Sequence, residues 1–300
     1  PSLKLSKACL SGEHQEGVRK VIDILVIIGI VGGAATSLGL GVPLVSALTA
    51  EFFEVENTVT IKLIVLAVWT GMFGTSTYRG LTRGIKVLAD INGRPMLWHV
   101  LKGVGNAKKV DDVWVLTDSA KIMGAVQSWG ANALMTRPDC PSGTARIASV
   151  IDQLPAETII NVQADEPLIS GDVIDQVAAA LQESGADVAT PIFRISNTED
   201  VFNPNVVKVV KETGGFALYF SRSAVPYVRD VEQANWLSAT AFWGHVGVYA
   251  YRRQVLVDLN QLPEGQLEGA EKLEQLRLME AGLNIQTVEV EYRSRGVDTP

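Results

Sequence analysis

Cysteine is nearly absent: the 300 residues contain two, Cys9 and Cys140, far apart and without metal-ligand spacing around either. That scarcity argues against a disulfide framework or a cysteine zinc site and points to a reducing compartment. Basic charge is also in short supply. Lys and Arg number 26 against 33 Asp and Glu, a net charge of −7. The deficit is uneven, because residues 1–88 hold eight basic and six acidic side chains, leaving eighteen and twenty-seven beyond them. A phosphate-backbone binder needs a basic face that displaces counterions, so no nucleic-acid partner is expected. Internal repeats and low-complexity tracts are missing. There is no initiator Met before Pro1, and no terminal helix follows Gly296-Val297-Asp298-Thr299-Pro300, so the chain reads as a fragment at both ends.

What is present falls into two unlike parts. Residues 21–48 are nearly uncharged beyond Asp23, and about 20 apolar residues suffice to span a hydrocarbon layer. Gly29, Gly32, Gly33, Gly39 and Gly41 within that run suit close helix packing in lipid. A second apolar run, residues 59–78, follows Glu51, Glu54 and Glu56 and carries Lys62 near one end, where a long side chain can snorkel. The length and the second run exclude a signal peptide. Residues 1–88 are therefore predicted to contain two transmembrane-like helices, with membrane contact through residues 21–78.

From Ala89 the pattern becomes that of an α/β domain with a mostly parallel sheet, β-branched runs alternating with amphipathic stretches. Predicted strands cover residues 112–117, 132–136, 158–163, 187–193, 205–211, 215–220, 245–251 and 284–290. Predicted helices cover 95–103, 120–129, 144–153, 171–183, 253–259 and 268–281. Ser142-Gly143-Thr144 supplies a hydroxyl cap for the third of these helices.

The chemistry concentrates where the strand at 158–163 runs into Gln163-Ala164-Asp165-Glu166-Pro167. Ligands of open α/β sheets bind at the carboxyl ends of strands. Asp165 is therefore placed where a hard cation bridging phosphate oxygens needs a carboxylate.

This stretch resembles the Val-Gln-Gly-Asp-Glu-Pro motif of the CMP-KDO synthetases, with Ala164 in place of the glycine. Further matching motifs run in family order, beginning with Asn92-Gly93-Arg94-Pro95-Met96-Leu97-Trp98-His99-Val100 and Val115-Leu116-Thr117-Asp118. Next come Met135-Thr136-Arg137-Pro138-Asp139 with Ser142-Gly143-Thr144-Ala145-Arg146, and then Tyr219-Phe220-Ser221-Arg222-Ser223. The last are His245-Val246-Gly247-Val248-Tyr249, Glu271-Lys272-Leu273-Glu274-Gln275 and the terminal Gly296 to Pro300. The resemblance implies a three-layer fold of the nucleotide-diphospho-sugar transferase type over residues 89–300. It also implies CTP and 3-deoxy-manno-octulosonate (KDO) as substrates, Mg²⁺ as cofactor, a cytoplasmic enzyme domain, a homodimer and a place in lipopolysaccharide synthesis. Carried over residue by residue, Asp165 and Asp298 are the magnesium ligands, and Lys86 aligns with the family's triphosphate-loop lysine. Gln163, Arg222, His245, Glu274 and Gln275 line the sugar pocket. Ser142, Gly143 and Arg146 fall where the family holds cytosine and ribose. His99 reads as a packing residue, Trp236 and Trp243 as supports of a loop or subunit contact rather than base-stacking rings, and Glu271 to Arg277 as surface-paired charge.

Residues 17–88, in turn, are similar to mid-chain helices of the betaine/carnitine/choline transporters, through Val21-Ile22-Asp23-Ile24-Leu25, Ala35 to Gly41 and Gly80 to Leu88. Two spans cannot build a midplane transport site between repeats. They displace the family's first strand and its Pro-Ala-Arg-x-x-Ser-x-Arg-x-Pro-Gly-Lys loop. Arg79 and Arg83 are out of register with the loop's arginines, and the Pro-Gly pair is missing. Impaired activity is the expectation. The stretch Lys86 to Ile91 fits either parent, which suggests a mis-joined fusion rather than a natural membrane-tethered synthetase. The alternative to a CMP-KDO synthetase is an inactive chimeric product or a membrane transporter fragment carrying a passenger.

Overall fold

The computed structural model describes the backbone of Lys62–Ala67 and the whole of residues 86–291. The chain divides into Pro1–Val59 and Thr60–Pro300, and all described residues belong to the second unit. The run at residues 21–48 lies outside them. Among the described residues no helix is long and apolar enough to cross a membrane.

One sheet organises the second unit. Its first strand, β1 (Lys62–Ala67), runs parallel between β4 (Asp112–Thr117) and β6 (Thr158–Gln163), with Val65 opposite Trp114 on one side and Asn161 on the other. The expectation that residues 59–78 form a second membrane span is corrected over these six residues. A central parallel strand reads as a continuous apolar run, as a membrane helix does, and hydropathy alone does not separate them. Flanking neighbours that satisfy both edges of the backbone do.

Before β4 comes a small hairpin, β2 (Asp90–Ile91) with β3 (Arg94–Pro95). Its two-residue turn places Asn92 and Gly93 at φ 55° and 85°, the left-handed pair that a type I′ turn requires. The remaining strands are β5 (Asn132–Met135), β7 (Val188–Arg194), β8 (Lys208–Lys211), β9 (Ala217–Ser221), β10 (Trp243–His245), β11 (Val248–Arg252) and β12 (Ile285–Glu289). Their order is β5-β4-β1-β6-β11-β7-β10-β8-β9, with β12 parallel to β7. The sheet is mixed rather than mostly parallel: β11 is antiparallel to β6 and β7, and β8 to β9 and β10. The predicted strand at 245–251 is two strands, because the chain breaks at Val246-Gly247. β10 then pairs with β8 and β11 with β6.

Strand side chains alternate between two apolar cores. Val115, Ile160 and Ala189 face helices Met96–Val104, Ala120–Ser128 and Gly171–Ser184. Leu116, Ile159 and Val188 face the opposite layer, with Ile147, Leu256 and Leu276. This is the three-layer arrangement expected. The predicted helix 268–281 is instead two, Gln266–Glu271 and Gln275–Glu280, separated where Lys272 adopts φ 54°.

Proline in β1 would remove a ladder donor between two strands, at a cost of about 3 kcal/mol or more. Val65→Pro is expected to lower the urea midpoint of the full chain markedly. An unchanged midpoint by circular dichroism would place residues 62–67 outside the cooperative sheet.

Candidate active site

Because β1, β4 and β6 are parallel, their carboxyl ends open at one edge of the sheet. Gln163 ends β6, and the chain turns at once through Glu166 N–H to the Gln163 carbonyl (3.3 Å) and Ile169 N–H to the Glu166 carbonyl (3.1 Å). Helix Met96–Val104 packs on that turn closely: a Cβ on Gly103 would lie 2.1 Å from the Ile169 carbonyl oxygen. Ala164 is buried within the turn and is not among the described non-glycine residues with positive φ, so its methyl sits on ordinary backbone. The turn presents Asp165, one carboxylate oxygen of which lies 3.7 Å from Lys86 Nζ. Lys86 is held there by its neighbours, Leu97 N–H donating to the Val87 carbonyl and Met96 N–H to that of Ala89, both at 2.9 Å. Two positions far apart in sequence are thus brought into one ion pair. Asp298 lies outside the described residues.

The second cluster follows β4 and β5. Ser142 caps helix Gly143–Ala148, its Oγ accepting from Ala145 N–H at 3.1 Å. Arg146 in that helix is fully buried. Its guanidinium donates to the Asp118 carboxylate (3.1 Å), the Arg137 carbonyl (3.0 Å) and the Thr136 hydroxyl. It therefore ties the strand end at Asp118 to the loop after β5 and faces protein rather than solvent. Thr144, beside Ser142 and Gly143, is buried and accepts from the Asn161 amide on β6 at 3.3 Å.

A third cluster surrounds the helix break at Lys272. Glu274 presents surface to solvent yet is enclosed by protein on most sides, as a side chain within a cleft is. Burial pushes its carboxyl up, hydrogen bonds to Thr144 and Ser142 oppose this, Glu268 adds to the rise and Arg277 subtracts from it. The contact with Ser142 and Thr144 joins the third cluster to the second. Gln275 is buried, and its Nε2 has no hydrogen-bond partner among the described residues. An orphaned buried donor costs about 1–3 kcal/mol, which a polar ligand would relieve. His245, half-buried between the Phe220 and Tyr249 rings, shares a 2.9 Å hydrogen bond with Thr190 Oγ1. The Thr190 hydroxyl gives its one proton to the Val248 carbonyl at 2.7 Å, so His245 Nε2 is the donor and Nδ1 is left as an acceptor. Burial pushes the imidazole down to about 3.

The half-buried Arg222 directs Nε to the Glu271 carbonyl (2.7 Å), Nη1 to Pro204 (3.0 Å) and Nη2 to Lys272 (3.5 Å). Glu271, read from sequence as a surface pair, instead accepts from the Ser221 hydroxyl (2.7 Å) and Arg222 N–H (2.9 Å). Helix periodicity could not reveal this, because both partners come from the end of β9 and the residue after it, about fifty residues away. Arg277 pairs with Glu268 at 2.6 Å. Lys208 was also missed, although a lysine amid Val206-Val207 and Val209-Val210 was a signal of a buried polar position. His99 donates to the Ile91 carbonyl (2.8 Å), and Trp236, beside the Phe202, Tyr227 and Phe242 rings, donates to that of Val231 (3.0 Å).

An α/β sheet with a lysine–carboxylate pair at its parallel strand ends, beside a capped loop and a polar cleft, has the form of a nucleotidyltransferase. The chain belongs to the cytidylyltransferase family, whose model matches residues 84–285. It is 46% identical over 216 residues to 3-deoxy-manno-octulosonate cytidylyltransferase of Escherichia coli, covering 72% of this chain and 85% of that one. The enzyme of the same name from Thermodesulfovibrio yellowstonii is 37% identical, over 79% and 94% of the two chains. A solved CMP:2-keto-3-deoxy-manno-octonic acid synthetase complexed with CTP superposes with TM-score 0.70 at 40% identity, over 80% of this chain and 93% of that one. The 4-diphosphocytidyl-2C-methyl-D-erythritol synthase of Anaerococcus prevotii, 13% identical with TM-score 0.51 over 80% and 92%, shares the fold alone. Residues 2–101 match the betaine/carnitine/choline transporter family model.

Two outcomes test this geometry. Removing one partner of a buried ion pair costs about 3–5 kcal/mol, so Arg146→Met is expected to lose stability on that scale in urea unfolding. A loss below about 1 kcal/mol would mean that Asp118 is not dependent on it. For His245 the folded value lies below the unfolded one, so protons favour the unfolded chain between about pH 6.5 and 3. Stability should fall as pH drops through that window, and the His245 ring signals in NMR should stay those of the neutral form from pH 8 to 5. A ring titrating near 6.5 would contradict the buried environment.

Proposed function

We propose that the chain is a CMP-KDO synthetase: it transfers CMP from CTP to 3-deoxy-manno-octulosonate and releases pyrophosphate, supplying the activated sugar for lipopolysaccharide synthesis. The observation that carries this reading is the 46% identity to a curated cytidylyltransferase of that specificity across 85% of its length. In the reaction the sugar's anomeric hydroxyl oxygen bonds to the α-phosphorus, and the bond from that phosphorus to the β-bridging oxygen breaks. The hydroxyl proton passes to solvent as the new bond forms, and pyrophosphate departs. Such a displacement depends on holding the attacking oxygen in line and on neutralising phosphate charge.

Each cluster takes one part of that task. Ser142 and Gly143 meet the nucleotide, while Arg146, turned into protein, holds the loop that carries them. Arg222 pairs with the sugar's carboxylate, which suits the planar guanidinium fork. Gln163, Gln275 and Glu274 address hydroxyls, and the bare Nδ1 of neutral His245 accepts from one. Lys86 and Asp165 stand at the phosphates.

A magnesium ion fits Asp165: its carboxylate is a hard-oxygen donor at a strand end, about a third open to solvent. Mg²⁺ characteristically takes one or two carboxylates together with substrate phosphate. Asp298 is its expected companion. Bound there, the ion would offset charge on the phosphate oxygens. Homodimerisation accords with the family resemblance.

A second reading rests on one observation: the cytidylyltransferase and transporter matches both claim residues 84–101. Residues 1–88 and 89–300 would then have separate origins in a chimeric product, with Lys62–Ala67 completing the enzyme's sheet. DNA reads that cross codons 85–91 without a break would exclude an assembly error.

Pyrophosphate release by the purified chain with CTP, the sugar acid and Mg²⁺ is the direct test. Low turnover is expected, since residues 75–85 lack the Pro-Gly pair and in-register arginines. Asp165→Ala should cut it at least 100-fold, and a family-like loop in place of residues 68–85 should raise it. Release indifferent to Asp165→Ala would refute the assignment.

A further inference from the structure

Lys208 sits on β8 between valines and is wholly buried. An ammonium there is uncommon, because burial of an unpaired charge is expensive. Its three donors are all satisfied, by the carbonyls of Asn203 (2.8 Å), Val206 (2.6 Å) and Arg222 (2.6 Å). The first two belong to the connection before β8, and the third is Arg222's own backbone. Burial pushes the ammonium down to about 8; Glu271 works against that shift and Arg222 with it.

The opposite side of Arg222 is held as firmly. Glu271 accepts from Arg222 N–H and from Ser221 Oγ, and the Arg222 side chain returns a bond to the Glu271 carbonyl. The Glu271 carboxyl is pushed up by burial, but the bonds from Ser221, Arg222 N–H and Tyr219 and the Arg222 charge outweigh this and hold it below the usual range. Glu271 is therefore ionised. The backbone of Arg222 is gripped at its N–H by an anion and at its carbonyl by a cation.

The guanidinium is stretched between the same walls. Pro204 belongs to the connection that Lys208 anchors, and Glu271 and Lys272 to the helix break. Three of five guanidinium N–H donors go to carbonyls, leaving one on each terminal nitrogen. That is the pair a carboxylate receives in a two-pronged contact.

We infer that Lys208 and Glu271 are positioning residues that fix Arg222 to receive the carboxylate of the acidic sugar. The inference rests on the proposed reaction, which makes Arg222 the carboxylate partner. Neither residue touches substrate. Their charges set where the arginine stands, a task that a neutral core of the same volume would not perform. The clamp serves the sugar subsite alone: Lys208 bonds Asn203, Val206 and Arg222, and Glu271 bonds Tyr219, Ser221 and Arg222, none of them in the Ser142–Arg146 loop.

Calorimetric titration of the full chain with 3-deoxy-manno-octulosonate, and separately with CTP, tests this without requiring turnover. Lys208→Met and Glu271→Gln are each expected to weaken sugar-acid binding at least tenfold and to leave CTP binding within twofold. Retained CTP binding certifies a folded chain, and if Lys208→Met loses it, Glu271→Gln decides alone. As a second readout, Arg222→Ala should weaken the sugar acid at least as much, and adding Glu271→Gln to it should cause little further loss. Equal weakening of both ligands by Glu271→Gln, or sugar-acid binding within twofold of wild type, would overturn the inference. A wild-type chain that binds CTP but not the sugar acid would sink the proposed substrate and the clamp together.

Discussion

Everything in this domain hangs on the backbone ladder from β4 through β1 to β6. Lys62–Ala67 supplies the middle rung, bonded in register on both sides. Because the three strands are parallel, the ladder brings their carboxyl ends to one edge, the edge at which Asp118 follows β4 and Asp165 follows β6. An unpaired pair of strand edges in the centre of a sheet would leave buried N–H and carbonyl groups without partners. The sheet therefore needs some strand in that place, but the ladder makes few demands on which sequence fills it. That tolerance is how a run resembling a transporter helix can stand there.

Around that edge the domain uses charge sparingly and nearly always in satisfied form. Arg146 reaches three protein oxygens, Lys208 three carbonyls, and Arg222 three more. Such groups lend their donors to backbone that has no ladder partner, so irregular segments between strands become rigid. A pocket walled by irregular segments needs this more than one walled by strands, since a displacement of about an ångström in a positioning group can cost a hundredfold in rate. The exceptions among the described residues are Gln275 Nε2 and Arg146 Nε, each buried without a hydrogen-bond partner.

Glu274 joins the helix break at Lys272 to the Ser142–Arg146 loop through Ser142 and Thr144. Its carboxyl rises because it is enclosed, whereas that of Glu271 falls because donors surround it. Two glutamates three residues apart thus take opposite characters, set by the helix break at Lys272 that turns them to different neighbours.

How much of this was legible in advance varies with the range of the interaction responsible. The strands 112–117 and 158–163 were marked by their short β-branched runs, the second also by Pro167 beyond it, and the Ser142 cap by its hydroxyl. The motif around Asp165 and the family it belongs to followed from residue order alone. The kink that divides β10 from β11, the fracture of helix 268–281, and the antiparallel half of the sheet did not, because each is decided by which strand lies alongside. Nor did the roles of Lys208 and Glu271, whose partners arrive from other elements. The apolar run at 62–67 shows the boundary most plainly. By itself the sequence determined that this run is apolar; only tertiary structure decided that it forms a strand, because hydropathy measures transfer out of water while hydrogen bonding to β4 and β6 selects the form.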